Sequence, residues 1–330
     1  MKVFGYASTI FGATAAVGHV RGFSADTLAN ALAVAAYITP VNPQMAFFAH
    51  PPTPTIKYLA AGVMAQQALT AAFLGELGHH GDLTVLDDAE LGYRRYIGTE
   101  KWEPQHLTDR LGEEWLFLPF ASYKLYPHCR IMHASMHCLI DLVRQHGLKP
   151  DEIDAIKVYV EGFAEKPVWL NRKIRDGNDA QFSMAHGIAI AAHLLPPGKA
   201  WLEPALISSP SVMRLMGKVT TEVHPDYVSL LTSNAASRPA WIEVKARGQT
   251  FVAEKRYPKG SPSPDAETRM TDEELIGKFL SNVEDVMPGE DATAFVDTVM
   301  NLETVSDLGP AMRQLAPTRN RHKAKLVAAS

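Results

Sequence analysis

The sequence predicts a mixed fold with a large all-α domain, a smaller α+β domain whose sheet is mainly antiparallel, and C-terminal helices that return to the helical domain. Three observations lead to this expectation. A chain of 330 residues is long for one core and suits two domains. Its first hundred or so residues follow helical spacing, whereas residues 151–162 alternate with a period of two. We therefore expect residues 1–117 to form the first part of the helical domain, 118–265 the α+β domain, and 266–330 the returning helices.

The helices of the first part are predicted from small residues, caps and breakers. Residues 5–18 interleave Gly, Ala, Ser and Thr with a few large apolar residues, which predicts a buried helix that packs closely on its neighbours. Ser24 is placed to cap the next helix, which Pro40 ends. A long alanine-rich helix is predicted over residues 59–77, and Gly78 supplies its C-terminal stop.

The middle of the chain mixes helical and alternating patterns. A helix is predicted after Arg130, ending at Gly147. Apolar Ile156, Val158 and Val160 then alternate with polar residues, as in a half-buried strand. The remaining elements predicted here are a helix over residues 182–195, a strand over 220–223, and a hairpin of 241–246 with 250–257.

The last part of the chain is predicted to be helical again. Thr271 and Glu274 have the spacing of a capping box, which marks a helix start. The helical pattern continues to about residue 315 and is interrupted at Pro288 and Gly289.

Composition excludes several classes of function. The formal net charge is -4 and the 32 Lys and Arg residues are dispersed, so nucleic acid is not an expected partner. No apolar run reaches the ~20 residues that a membrane helix needs, and the N-terminus lacks the pattern of a signal peptide. The two cysteines argue against a disulfide framework. We therefore expect a cytoplasmic protein that binds neither membrane nor nucleic acid.

The segment from Lys124 to His133 concentrates a lysine, an arginine and two histidines within ten residues, immediately before a predicted helix. A helix N-terminus attracts anions, and Lys124 and Arg130 add fixed positive charge. His128 and His133 can move protons near neutral pH. The segment is therefore a candidate site for a small carboxylate; the alternative is a basic loop that caps a helix and binds nothing.

Other catalytic motifs have little support in the sequence. His133 and His137 are four residues apart on a predicted helix, a spacing that could present two ligands to zinc. Position 134 is alanine, however, so the HExxH pattern is absent, and we expect no metal. The sequence lacks the GxGxxG and Walker motifs of nucleotide-binding proteins and the GxSxG motif of serine hydrolases, so neither function is supported.

A second informative block runs from Asp179 through Gln181, Phe182 and Ser183 to His186. Together with the Lys-x-Tyr-Pro-x-Cys-Arg-x-x-His segment, Thr55-x-Lys57, the Gly-rich opening and the helix after Ser24, it resembles the MmgE/PrpD family. Arg-Tyr-Pro-x-Gly at residues 256–260, followed by the Lys-Phe helix at 278–279, is similar to the tail of that family. The resemblance covers nearly the whole chain.

The resemblance implies homodimers with a cleft between the two domains and cofactor-free chemistry on di- or tricarboxylates. The expected activity is that of a lyase or hydratase, similar to 2-methylcitrate dehydratase, which abstracts a proton alpha to a carboxylate; decarboxylation or epimerisation is the alternative within the family. His186 falls where many members carry tyrosine, and Tyr6 near a common histidine. The catalytic candidates are His133, His186, Lys124 and Tyr6, and the substrate-binding candidates are Lys57, Arg130, Ser183 and His128.

The resemblance also implies a departure at the start of the chain. Family members usually carry a further N-terminal helical segment that supplies an Asp and a His to the site. We therefore expect either a hetero-oligomer, in which another chain supplies this segment, or a non-catalytic half-site subunit. A metal-dependent hydrolase using His133 and His137 is a weaker third hypothesis.

Overall fold

A computed structural model describes residues 8–40, 44–99 and 102–315. The chain divides into two compact units: Met1–Pro119 with Glu165–Ser183, and Phe120–Ala164 with Met184–Ser330. The first unit is helical and the second contains a four-stranded sheet, which confirms the predicted mixed fold.

The first unit contains eight described α-helices, and the last residue of one of them, α6, already belongs to the second unit. Their bounds are α1 Thr9–Val20, α2 Ala25–Ile38, α3 Gln44–Ala49, α4 Lys57–Glu76, α5 Tyr93–Ile97, α6 Phe117–Phe120, α8 Pro167–Leu170 and α9 Gly177–Phe182. Ser24 caps α2 as predicted, because its hydroxyl accepts the Thr27 N–H at 3.2 Å. Within the part of the chain described, no helix combines the length and apolarity needed to cross a bilayer.

The core of the first unit lies among α1, α2 and α4. Ile10, Val34, Met64 and Ala68 are buried there. The helices approach closely: a Cβ on Gly75 would lie 2.8 Å from the Ala31 Cβ. Small residues were the basis for predicting buried helices, and this close approach is what they permit.

Four strands form the sheet of the second unit, with the bounds β1 Ile153–Val160, β2 Val219–Val223, β3 Ala240–Ala246 and β4 Gln249–Lys255. Their order is β2-β1-β3-β4. β1 pairs parallel with β2 and antiparallel with β3, and β3 pairs antiparallel with β4, so the sheet is mainly antiparallel. Arg247 and Gly248 both have positive φ, 53° and 71°, as a two-residue hairpin turn requires.

The second unit also contains α-helices, some of which pack on this sheet. They are α7 His133–His146, α10 Met184–Ala191, α11 Pro204–Ile207, α12 Pro210–Met216, α13 Tyr227–Ser233, α14 Asp272–Val283, α15 Gly289–Met300 and α16 Gly309–Gln314. α7 packs on β3 and β4, and α10 packs on α7, α12 and β2. The predicted capping box starts α14: the Thr271 hydroxyl accepts the Glu274 N–H at 3.2 Å, and the Glu274 carboxylate accepts the Thr271 N–H at 2.8 Å.

One predicted helix is divided. Residues 182–195 were expected to be continuous, but α9 ends at Phe182 and α10 begins at Met184. Ser183 between them has extended backbone, and its hydroxyl donates to the Asn171 carbonyl at 2.6 Å. This hydrogen bond is to a residue twelve positions earlier, so the local apolar pattern could not reveal it.

The C-terminal helices belong to the unit that contains the sheet, whereas the sequence placed them with the helical domain. That unit is also the larger of the two. Two ion pairs join this region to earlier parts of the same unit: Lys199 with Asp285, just after α14, at 2.5 Å, and Lys259 with Glu274 of α14 at 3.1 Å.

Candidate active site

The basic segment is held in place within the second unit by polar contacts, several of them with Gly260 and Ser261. The Tyr123 N–H donates to the Gly260 carbonyl at 2.9 Å. The Arg130 guanidinium donates to the Ser261 hydroxyl at 3.1 Å and, at 3.4 Å, to the Tyr123 carbonyl. The turn at residues 260–261 therefore fixes both the start of the segment and its arginine.

A third cation, Lys278 of α14, reaches the same segment. Its ammonium donates to the Lys124 carbonyl at 2.6 Å. The charge of Lys124 lowers the pKa of Lys278, second to the effect of burial. Among residues 8–40, 44–99 and 102–315, none of the ion pairs involves Lys124, Arg130 or Lys278. The segment thus carries positive charge that no described carboxylate neutralises.

His133, the first residue of α7, lies near all three cations. Burial is the main reason that its pKa falls to about 3, and the charges of Lys124, Arg130 and Lys278 lower it further. The ring is only 1% exposed, and its Nε2 lies 3.1 Å from the His128 carbonyl. A carbonyl can only accept, so Nε2 carries the proton and the lone pair is on Nδ1.

His128 is buried beside a second histidine. Its ring stacks on His186 with the centroids 6.5 Å apart and meets the edge of Trp201 at 5.7 Å. Neither ring nitrogen has a hydrogen-bond partner among the described residues. Burial, followed by the neighbouring His186, His133 and Lys124, holds the pKa of His128 well below 6.5.

His186 has a fixed tautomer. Its Nε2 lies 3.0 Å from the Ile207 carbonyl and therefore carries the proton. The residue is fully buried, and this burial lowers its pKa. In all three histidines burial lowers the pKa, which favours the neutral ring.

The first unit brings two of the sequence blocks together. The Lys57 ammonium, at the start of α4, lies 4.5 Å from the centroid of the Phe182 ring. The Thr53 N–H donates to the Asp179 carboxylate at 2.9 Å. Residues 53–57 and 179–183 are far apart in sequence, so their proximity supports treating them as parts of one arrangement.

The profile of the MmgE/PrpD N-terminal domain matches residues 6–105, and that of the MmgE/PrpD C-terminal domain matches residues 126–304. The chain belongs to the MmgE/PrpD family. Among curated proteins it is similar to "Cis-aconitate decarboxylase" of Homo sapiens, with 25% identity over 317 residues. That alignment covers 90% of this chain and 59% of the human protein, so the chain spans a little over half the length of this relative.

The structure places the predicted site residues of this MmgE/PrpD chain in two groups. Lys124, His128, Arg130, His133 and His186 lie in the second unit, where they are close in space. Lys57 and Ser183 lie in the first. The Ser183 hydroxyl donates a hydrogen bond to the Asn171 carbonyl. Tyr6 lies outside the described residues. The roles assigned to these residues stay predictions.

The zinc hypothesis gains no support from these contacts. His133 gives its Nε2 to a carbonyl, while His137 faces Asp141 at 3.7 Å on the same helix. In the described ranges no group of three His, Cys, Asp or Glu side chains is arranged to hold a metal ion.

Sequence reasoning missed two contributors to the site. It identified Lys278 only as part of a helix similar to the family tail, and it did not consider Trp201. Lys278 is 154 positions from the residue that it contacts, and Trp201 packs between Tyr126 and His128 with ring centroids 5.6 and 5.7 Å away. No local pattern signals contacts at such separations.

Proposed function

We propose that this chain is a cofactor-independent lyase that acts on a small di- or tricarboxylate by abstracting a proton alpha to a carboxylate. The reaction we favour is dehydration, as in 2-methylcitrate dehydratase. The observation that carries this proposal is the group of three cations, Lys124, Arg130 and Lys278: Lys278 and Arg130 contact the adjacent carbonyls of Lys124 and Tyr123, in the segment that leads into His133.

Binding and activation are both served by this charge. Arg130 contributes positive charge, because its Nη1 and Nη2 atoms already donate to Tyr123, Gly260 and Ser261, and the lysine ammoniums can hold a carboxylate directly. Removal of a proton alpha to a carboxylate leaves negative charge that spreads onto the carboxylate oxygens. Fixed cations placed at those oxygens stabilise the transition state more than the substrate.

The proton acceptor that this proposal assigns is the Nδ1 atom of His133. A bound carboxylate would offset the repulsion from the three cations and raise the pKa of the ring toward neutrality. Burial is the larger influence on this pKa and lowers it, so the bound carboxylate offsets only the smaller contribution, that of the cations. His186, whose Nδ1 also bears a lone pair, is the second candidate for proton transfer.

Dehydration, decarboxylation and epimerisation make the same demand for stabilising a carbanion. Because the human relative is a cis-aconitate decarboxylase, decarboxylation is the first alternative. We also propose that the chain forms a homodimer or a hetero-oligomer. A reducing, cytoplasmic location is part of the proposal, and the two free cysteines are compatible with it.

Proton NMR in D2O with the purified chain tests this proposal. The panel contains citrate, 2-methylcitrate, cis-aconitate and iminodisuccinate, and a single spectrum reports water loss or gain, decarboxylation and exchange at the alpha carbon. We expect turnover of at least one compound. A chain that binds these carboxylates yet changes none of them contradicts the proposal.

A second candidate is a half-site subunit that needs a partner chain. The specific observation in its favour is a set of exposed apolar residues on one face of α4, Leu59, Val63 and Phe73, whose exposures are 58, 38 and 47%. The opposite face of α4 is already buried. Affinity purification from the native host tests this candidate: a stoichiometric second polypeptide supports it, and an active chain that purifies alone contradicts it.

A further inference from the structure

A cavity of about 740 Å³ lies within the second unit, between α7 and the end of β4. The turn after α10 and the first residues of α14 complete its walls. Ligand sites of proteins commonly have a volume of this size. In the described chain, none of the residues to which the proposed function gives a role lines this cavity, so it is a separate candidate site.

Tyr126 brings a hydroxyl group without a partner to the cavity wall. The residue is only 4% exposed, and its ring stacks on Trp201 with the centroids 5.6 Å apart. Among the described residues its hydroxyl makes no hydrogen bond, although buried tyrosines usually find a partner. Burial is the main reason that the pKa of Tyr126 is raised. A ligand in the cavity can therefore use a donor that is already largely removed from water.

Arg144 of α7 adds positive charge near this hydroxyl, and its charge acts on Tyr126 by lowering the pKa. Within the described ranges the Arg144 guanidinium forms neither an ion pair nor a side-chain hydrogen bond. A guanidinium and a phenol hydroxyl both donate, so together they suit a carboxylate. The two lysines of the cavity wall are already paired, Lys255 with Asp141 at 2.9 Å and Lys259 with Glu274 at 3.1 Å.

Acidic side chains line another part of the cavity, in the segment that leads to α14. Asp265 and Glu267 belong to this part, and neither forms an ion pair with a described residue. The Asp265 carboxylate accepts the Glu267 N–H at 3.0 Å, which leaves the Glu267 carboxylate for an external cation. Leu194, Leu195 and Pro197 add an apolar surface. The cavity thus combines a place for a carboxylate, a place for an ammonium group and an apolar wall.

We propose that this cavity binds a short zwitterionic peptide with apolar side chains. Its carboxylate contacts Arg144 and the Tyr126 hydroxyl, and its ammonium group contacts Glu267. These groups lie on different elements, α7 and the segment before α14, so the two charges of the ligand must also be separated. A single amino acid carries both charges on one carbon, whereas each further residue extends a chain by at most about 3.3–3.6 Å. A peptide of two or three residues is therefore the better match.

Isothermal titration calorimetry with three forms of one dipeptide tests this proposal. Leucyl-leucine carries both charges, N-acetyl-leucyl-leucine lacks the ammonium group, and leucyl-leucinamide lacks the carboxylate. We expect the wild-type chain to bind leucyl-leucine, and each of the other two forms to bind at least about tenfold more weakly, as for a lost hydrogen bond to a charged group. Equal affinity for the three forms would contradict the proposal, and so would the absence of saturable binding of leucyl-leucine.

Substitutions test which side chain holds which charge. Arg144→Met should weaken leucyl-leucine about tenfold and bring its affinity close to that of the amide. Glu267→Gln should instead reduce the preference over the N-acetylated form, and Tyr126→Phe, which removes only the hydroxyl, should weaken leucyl-leucine at least about threefold. Arg214→Met is the matched control: Arg214 belongs to the same unit, pairs with Asp151 at 3.5 Å and does not line the cavity, so the affinity should not change.

Two further measurements locate the peptide. Circular dichroism and the unfolding midpoint establish that each variant is folded. Lys124→Ala should bind leucyl-leucine as the wild type does, because Lys124 does not line the cavity. A loss of binding in this variant would move the peptide to the candidate active site and overturn the assignment. An Arg144→Met variant that still distinguishes leucyl-leucine from its amide would overturn it as well.

Discussion

Replacing Asp179 with alanine is expected to destabilise the first unit by about 3 kcal/mol. The carboxylate is fully buried and accepts hydrogen bonds from the Thr53 N–H at 2.9 Å and from Arg175 Nε at 2.7 Å. Alanine leaves the Thr53 N–H, which is also buried, without an acceptor, at a cost of about 1–3 kcal/mol. The Arg175 side chain is 51% exposed and regains water, so its contribution is discounted to at most about 1 kcal/mol.

Urea unfolding followed by circular dichroism measures this change. Asp179→Asn keeps an oxygen for the Thr53 N–H and should cost only about 1–2 kcal/mol. Asp151 is a matched exposed control, because it is 81% exposed and only 3.5 Å from Arg214, so Asp151→Ala should cost less than about 0.5 kcal/mol. If Asp179→Ala and Asp151→Ala lowered the free energy of unfolding by the same small amount, the buried hydrogen bonds of Asp179 would not stabilise the first unit.

The pH dependence of Asp179 has a definite sign. Burial by itself raises the pKa of its carboxyl, but the hydrogen bonds from Arg175 and Thr53 outweigh burial and the pKa is lowered. Its stabilisation is therefore present above the unfolded value of about 3.9 and is lost as the pH falls through the folded value. Below pH ~4, Asp179→Ala should lose less stability with acidification than the wild type does.

Three further predictions concern the second unit. Lys124→Ala should abolish turnover in the NMR assay without changing the unfolding midpoint, whereas Lys199→Ala should leave turnover intact; an active Lys124→Ala would remove the anion site from the mechanism. The pKa of His133 is lowered from 6.5 to about 3, so stability falls as the pH drops below ~6.5, by about 1.4 kcal/mol per pH unit for this residue. His133→Asn should lose that share of the slope in urea titrations between about pH 7 and pH 5.5, and an unchanged slope would mean that the ring is protonated in the folded chain. Gly187→Ala should destabilise by about 1–2 kcal/mol, because its Cβ would clash with the Met136 methyl group and lie 3.0 Å from the His128 ring, while Gly277→Ala, in open space on α14, should stabilise by about 0.5–1 kcal/mol; equal effects of the two substitutions would contradict this explanation.

Several features could be predicted from the sequence because their causes are local. Ser24 and Thr271 cap their helices through N–H groups three residues away. The alternation at Ile156, Val158 and Val160 reports a strand whose apolar side chains face the core, and all three are fully buried. The concentration of charge between residues 124 and 133 is likewise visible in ten residues of sequence.

Other features could not be predicted because they depend on partners distant in sequence. The break at Ser183 follows from its hydrogen bond to Asn171. The grouping of the C-terminal helices with the sheet includes contacts between residues far apart in sequence, such as the pair of Lys199 and Asp285. The domain boundaries expected from composition therefore differ from the two units observed.

The sequence by itself determined the type of each main element, the family resemblance and the basic character of the candidate site. Only the tertiary structure decided that Lys278 joins Lys124 and Arg130, and that His133 carries its lone pair on Nδ1. The physical reason is the same in both cases. Helix caps and strand alternation are set by neighbours along the chain, whereas charge density, burial and tautomer are set by whatever folding brings alongside.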